Sequence, residues 1–160
     1  MNVSSGTGKV ASLHLHPLEP GEPLSSVQSI ELVEGKGIKG EPRYFARISQ
    51  SSGKPSRRQV TLIEREQVAE HAATLGLETI PPGAVRSNIE TTGINLIALI
   101  GREIQVGTAK LRLYAPRDPC QKMDAICQGL REQMMNNRQG VLAEVVSDGI
   151  ARIGDEVKAL

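Results

Sequence analysis

Apolar and polar residues alternate in short runs along most of the chain, the two-residue period of strands with one face buried. From Val10 to His16, Ala11, Leu13 and Leu15 oppose Ser12, His14 and His16, until Pro17, Pro20 and Pro23 end the run. Ser26 to Val33, rich in β-branched and apolar residues, predicts a second strand closed by Gly35, Gly37 and Gly40. Val60 to Ile63 is a short strand, Ile104 to Val106 another between Gly101 and Gly107, and Ala109 to Ala115 the cleanest of all. There Ala109, Leu111, Leu113 and Ala115 share one face, and Lys110, Arg112 and Tyr114 the other. Val141 to Val146 and Ile150 to Val157 follow as closing strands, turned at Ser147-Asp148-Gly149 and interrupted at Gly154-Asp155.

Two segments switch to a helical period. Val68, Ala72 and Leu75 define a helix over Glu64 to Leu75, with acidic residues in its first turn and Gly76 after its end. Met123, Ile126, Cys127, Leu130 and Met134 form a second apolar stripe, in which Gly129 costs roughly 1 kcal/mol. Pro81-Pro82-Gly83 break the chain before Ala84 to Glu90, and Ser49 to Ser56 is a polar loop. Many short strands between Gly and Pro turns, with two inserted helices, predict a mainly β protein: a closed or nearly closed, antiparallel-rich mixed barrel. Residues 1–8 are Ser/Gly-rich and expected to be flexible, leaving 9–160 as one domain without internal repeats.

Composition narrows the function classes. Nineteen Lys and Arg against eighteen Asp and Glu leave a net charge of +1, which names no polyanionic partner, and three aromatic residues cannot furnish a base-stacking platform. Nucleic acid is therefore not expected. The longest apolar stretch, Ile94 to Ile100, is far short of a membrane span, and no signal-peptide pattern opens the chain, so a cytoplasmic location is expected. Two cysteines in such a chain argue for reduced thiols rather than a disulfide framework.

Several patterns invite functional readings that weaken on inspection. Gly35, Gly37 and Gly40 spell G-x-G-x-x-G after a strand, but Glu41-Pro42 and the polar loop offer no following helix to face a pyrophosphate. A plain turn is favoured. His14 and His16 have a chelating spacing but no evident acidic partner, and are expected to face solvent. Lys54, Arg57 and Arg58 read first as a solvated loop, with some functional weight because they precede the strand at Val60. Cys127, within the apolar stripe, reads as a core residue.

Cys120 differs. It follows Arg117-Asp118-Pro119 at a strand end and stands where a helix is expected to start, so backbone N–H groups there favour a thiolate. Such a thiolate can attack sulfur or bind a soft metal; the alternative is a simple capping cysteine. Arg86 offers a planar fork for phosphate or carboxylate, and Asn88 offers a donor and an acceptor suited to a pterin edge.

Together these fragments resemble the MOSC domain, the C-terminal domain type of molybdenum cofactor sulfurases. The resemblance runs from Val10 to Val157 on Arg58-Gln59-Val60-Thr61-Leu62-Ile63, Pro82-Gly83 with Arg86-x-Asn88-Ile89 and Gly93, Ile104-x-x-Gly107-x-Ala109-x-Leu111, Arg117-x-Pro119-Cys120, Gly140, and Gly154-Asp155-Glu156-Val157. Where many relatives have Gly-Asp at the early turn, this chain has Gly40-Glu41. The resemblance implies a barrel with a cleft that binds the molybdenum cofactor (molybdopterin), Cys120 carrying sulfur or ligating molybdenum, Arg86 on the phosphate, Asn88 on the pterin side and Arg117 beside them. It further implies sulfur transfer or reduction of an oxidised nitrogen or sulfur substrate. Lacking a flavin or iron–sulfur signature, a reductase needs a separate electron donor. Lacking an assignable pyridoxal-phosphate lysine, a sulfur carrier needs a separate cysteine desulfurase. Two alternatives stay open: a cofactor-free persulfide carrier on Cys120, and a non-catalytic barrel holding an anion through Arg86 and Arg117.

Overall fold

The computed structural model describes residues 7–160. Eleven strands form: β1 (Thr7–Leu15), β2 (Ser25–Val27), β3 (Ser29–Val33), β4 (Gly37–Ile38), β5 (Val60–Glu64), β6 (Ile89–Thr92), β7 (Glu103–Val106), β8 (Ala109–Pro116), β9 (Val141–Ser147), β10 (Gly149–Arg152) and β11 (Glu156–Ala159). Three helices join them: α1 (Arg65–Thr74), α2 (Met123–Ile126) and α3 (Leu130–Gln133). The order β11-β7-β8-β9-β5-β6-β1 closes through a β11–β1 pairing, giving a seven-stranded mixed barrel with β2 added outside β1. Closure removes the exposed edges that an open sheet of short strands would present. All these pairings are antiparallel except β5–β6, whose parallel register Leu62↔Ile89 follows from the α1 crossover between them. The strands β10, β3 and β4 form a second small sheet.

The barrel interior is aliphatic, as the aromatic-poor composition requires: Leu13, Leu62, Ile89, Ile104, Leu111, Leu113 and Val157 are fully buried there. Ile30, Leu32, Ile38 and Ala151 of the small sheet join the same cluster. On the other side of β5, Ile63 nucleates a separate cluster with Val68 and Ala72 of α1, Val85, Met123, Leu130 and Met134. That outer cluster anchors two segments that carry site residues, Pro82–Arg86 and Cys120–Met123.

Several expectations need correction. Thr7 and Gly8, grouped with a flexible start, open β1; residues 1–6 of that reading lie outside the described residues. Ser26–Val33 divides at Gln28 into two strands belonging to different sheets. β10 pairs with β3 rather than with β9, so Ser147-Asp148-Gly149 is a crossover and not a hairpin turn. The second helix is two single turns, because Gly129 adopts φ +94° and starts α3 afresh. Cys127 is thereby left extended and half-buried at the end of α2, outside the core. The G-x-G-x-x-G segment forms turns on either side of the two-residue β4, with all three glycines at positive φ. At Gly37 a Cβ would meet Gln59 at 3.1 Å, so that glycine is needed for close approach as well.

Candidate functional site

A β-bulge between Val10 and Ser12 shifts the phase of β1. As a result Leu13 points into the barrel, while His14 and His16, expected to face solvent, are buried at 1% and 4% exposure on the other face. The Pro82–Arg86 loop covers that face: a Cβ on Gly83, which sits at φ +85°, would lie 2.8 Å from His14 Nδ1. Burial lowers the His14 pKa below its ordinary 6.5, against the pull of Glu90, whose carboxylate is 4.0 Å away.

His16 has the acidic partner that the sequence did not reveal. Its Nδ1 bonds the Glu41 carboxylate in a short contact, and its backbone N–H donates to the same oxygen at 3.1 Å. Glu41, 1% exposed, is the acidic residue of the early glycine turn. The other ring nitrogen of His16 donates to the Arg86 carbonyl at 3.0 Å, and Arg117 Nη1 donates to that carbonyl at 3.1 Å and to Ser87 Oγ at 3.2 Å. These donors hold Arg86 in a left-handed conformation, φ +67°, that L side chains seldom adopt.

Asn88 is not placed to read a ligand. It is 1% exposed, and Thr61 donates its backbone N–H and its hydroxyl to Asn88 Oδ1 at 3.0 and 3.1 Å. Asn88 Nδ2 donates to the His14 carbonyl at 3.0 Å and to the Glu41 carboxylate at 3.2 Å. The side chain thus links β1, β5 and the Glu41 turn immediately before the β5–β6 ladder begins.

Three other predicted residues do converge. Arg86, Arg117 and Cys120 line one cleft of about 330 Å³ together with His16 and Tyr44. Arg43, Arg47, Arg58 and Lys122 complete its wall, bringing six cationic side chains to one place with no acidic residue lining it. Tyr44 organises three of them, with the guanidinium carbons of Arg43, Arg47 and Arg58 at 5.4, 5.7 and 5.1 Å from its ring centre and His16 edge-on at 5.0 Å. Among the described residues, none of the six cations forms an ion pair with a carboxylate. Arg117 is 9% exposed. Burial, reinforced by the positive charge of Arg58, lowers its pKa to about 10, so it keeps its charge at neutral pH. One guanidinium nitrogen of Arg86, Nη2, is buried without any hydrogen-bond partner.

Cys120 is exposed at this cleft, and both cysteines are free thiols. Its expected support from a helix dipole does not materialise, since α2 is one turn long and begins three residues later. Of the basic cluster, Arg58 lines the cleft, whereas Arg57 is paired with Glu144 at 3.0 Å and stacks 4.2 Å over Tyr114. Sequence reasoning did not single out Arg43, Tyr44, Arg47 or Lys122. The available signal was two arginines flanking two of only three aromatic residues just after Gly40-Glu41.

A family model described as the MOSC domain matches residues 35–158. No curated protein matches the chain. Among solved structures, YuaD from Bacillus subtilis is 19% identical with a TM-score of 0.78, over 96% of this chain and 95% of that one. YiiM from Geobacillus stearothermophilus is 16% identical at TM-score 0.68, over 96% and 75%, and YiiM from Escherichia coli is 16% identical at 0.64, over 97% and 68%. At these identities the likeness establishes the fold. No helix among the described residues is long and apolar enough to cross a membrane.

Proposed function

The chain belongs to the MOSC domain family, which is associated with molybdenum-cofactor binding and sulfur-related function, and from that premise we propose that its cationic cleft binds the molybdenum cofactor, with Cys120 as the sulfur ligand. The observation that carries this reading is the convergence on a single cleft of one exposed thiol and six cations that have no carboxylate partner among the described residues. Burying a charge without a counter-charge is costly, so a buried, unpaired Arg117 is an energetic demand for an anion. The unpartnered Nη2 of Arg86 is a second open position for an acceptor oxygen. A phosphate-bearing ligand answers both demands, and the cleft lies within the ~300–1,000 Å³ range of small-molecule sites.

The donor set fits too. Among the described residues no group of three or more His, Cys, Asp or Glu could hold a metal ion. Cys120 is thus a single sulfur donor, suited to a metal already chelated by an organic ligand rather than to a bare ion. When bound, that cofactor supplies a redox-active, sulfur-ligated molybdenum centre. The chain's own residues then act by placement: Arg86 and Arg117 neutralise the anionic end, Tyr44 and its arginines wall the cleft, and His16 and Glu41 fix the Arg86 backbone. Asn88, assigned to the pterin edge by resemblance, is here a positioning residue that acts through Glu41 and β5. Reduction of an oxidised nitrogen or sulfur substrate requires electrons from a separate donor protein, and sulfur transfer requires a separate desulfurase.

The test is native mass spectrometry with elemental analysis of protein produced in a molybdopterin-competent host, comparing wild type with Cys120→Ser. Molybdenum and pterin mass in the first and their loss in the second is the expected result. A metal-free wild type carrying a cyanide-removable sulfur on Cys120 overturns it in favour of a persulfide carrier. Neither species on wild type leaves an anion-binding barrel without a working thiol.

A further inference from the structure

Beside the cationic cleft runs a second groove of about 480 Å³, walled by Pro23, Leu24, Pro82, Ala125 and Ile126. Among the described residues, the charged ones lining it are Arg86 and Lys122, and both also line the cleft. The two spaces therefore meet across a pair of cations. Their wall is tied together physically, because Arg86 Nη1 donates to the Glu22 carbonyl at 2.9 Å, immediately before Pro23 and Leu24. Two prolines in the wall reduce the entropy lost when a ligand seats, which favours a preformed site.

We infer that this groove is the substrate-specificity pocket, taking the apolar body of a small organic molecule whose polar, oxidised or anionic end group reaches Arg86 and Lys122. The chemistry of the lining selects the occupant. A bare oxyanion gains nothing from Leu24, Pro82 and Ile126, and a purely apolar ligand leaves Arg86 and Lys122 unanswered. A molecule apolar at one end and polar at the other satisfies both. The inference rests on the reading of the cleft as an anion site, and adds the substrate class to it.

The test is a titration of the full chain with n-alkanesulfonates from methane- to pentanesulfonate, followed by NMR or calorimetry, on wild type, Arg86→Gln and Ala125→Gln. Ala125 is exposed on α2 and lines the groove but not the cationic cleft, so a longer neutral polar side chain there obstructs the groove without threatening the fold or the anion site. Each methylene buried contributes ~0.8 kcal/mol, so wild-type affinity rises about fourfold per carbon. In Ala125→Gln the series flattens while methanesulfonate binds as before, and Arg86→Gln weakens every member. Methanesulfonate binding that depends on Arg86, with pentanesulfonate no tighter, overturns the groove and leaves the cleft standing. A steep series indifferent to Arg86→Gln overturns the coupling of groove to cleft. No binding of methanesulfonate overturns the anion cleft, and this inference with it.

Discussion

Replacing Asn88 with alanine separates a positioning role from a ligand contact, because the two predict different observables. The substitution leaves the Thr61 N–H and the His14 carbonyl facing a void, both on buried strands, and takes a donor from the Glu41 carboxylate. A buried neutral group left unpaired costs about 1–3 kcal/mol, so the two backbone groups together give a loss of about 4 kcal/mol. That is a large fraction of the stability of a domain this size. In urea or guanidinium titrations the midpoint should fall with an unchanged slope, since the native surface is otherwise preserved. Methanesulfonate or cofactor binding should then decline because the folded fraction and the Glu41–His16 support of Arg86 decline. A loss of stability below about 1 kcal/mol, together with abolished binding in fully folded protein, would refute the argument and return Asn88 to the ligand surface.

Other consequences follow from the same geometry. Arg117→Met removes a buried cation that has no carboxylate partner, so the ligand-free protein should gain about 1 kcal/mol in denaturant titration while losing anion binding; a destabilised variant that still binds would contradict this. Gly83→Ala forces a Cβ at φ +85° against the His14 ring, and a loss of about 2 kcal/mol or more is expected by thermal or chemical unfolding. His14 has its pKa lowered in the folded state, chiefly by burial, so the unfolded chain binds the proton more readily. Its contribution is intact above the ordinary pKa of 6.5 and is lost as pH falls through 6.5 toward the depressed folded value, so unfolding midpoints should drop on acidification and do so less in His14→Gln.

Alternation carried the strands well where one face is apolar and the other polar, as in β8, and failed where that contrast is absent. β6 reads Ile-Glu-Thr-Thr, with Glu90 and Thr91 buried as completely as Ile89. The Glu90 carboxylate is answered by Arg65 at 3.0 Å and by the Gly83 N–H at 2.8 Å, so its burial beneath a loop is compensated, while Thr91 Oγ1 on the same strand has no partner among the described residues. No window of hydropathy contains that information. The same is true of β1, where a bulge breaks the alternation and a covering loop buries the polar face as well as the apolar one. The broken second helix was foreshadowed by its glycine, whose cost was recognised as a weakness and is in fact the point of interruption.

The site shows a similar limit, this time in charge. Cys120, Arg86 and Arg117 stood out because each sits in a short constrained segment, and the fold gathers all three at one cleft. A net charge of +1 names no polyanionic partner, yet it is an average over the whole chain. Folding segregates what the average mixes: 6 of the 19 basic residues gather at the cleft, away from the carboxylates elsewhere on the chain. Within such a concave, partly desolvated wall the attraction for an anion exceeds what the same charges would exert if spread over solvent. The charge of this cleft is therefore a property of where the Arg43–Arg47 turn, the approach to β5, the end of β8 and the two anchored loops bring their cations, and total composition could not have signalled it.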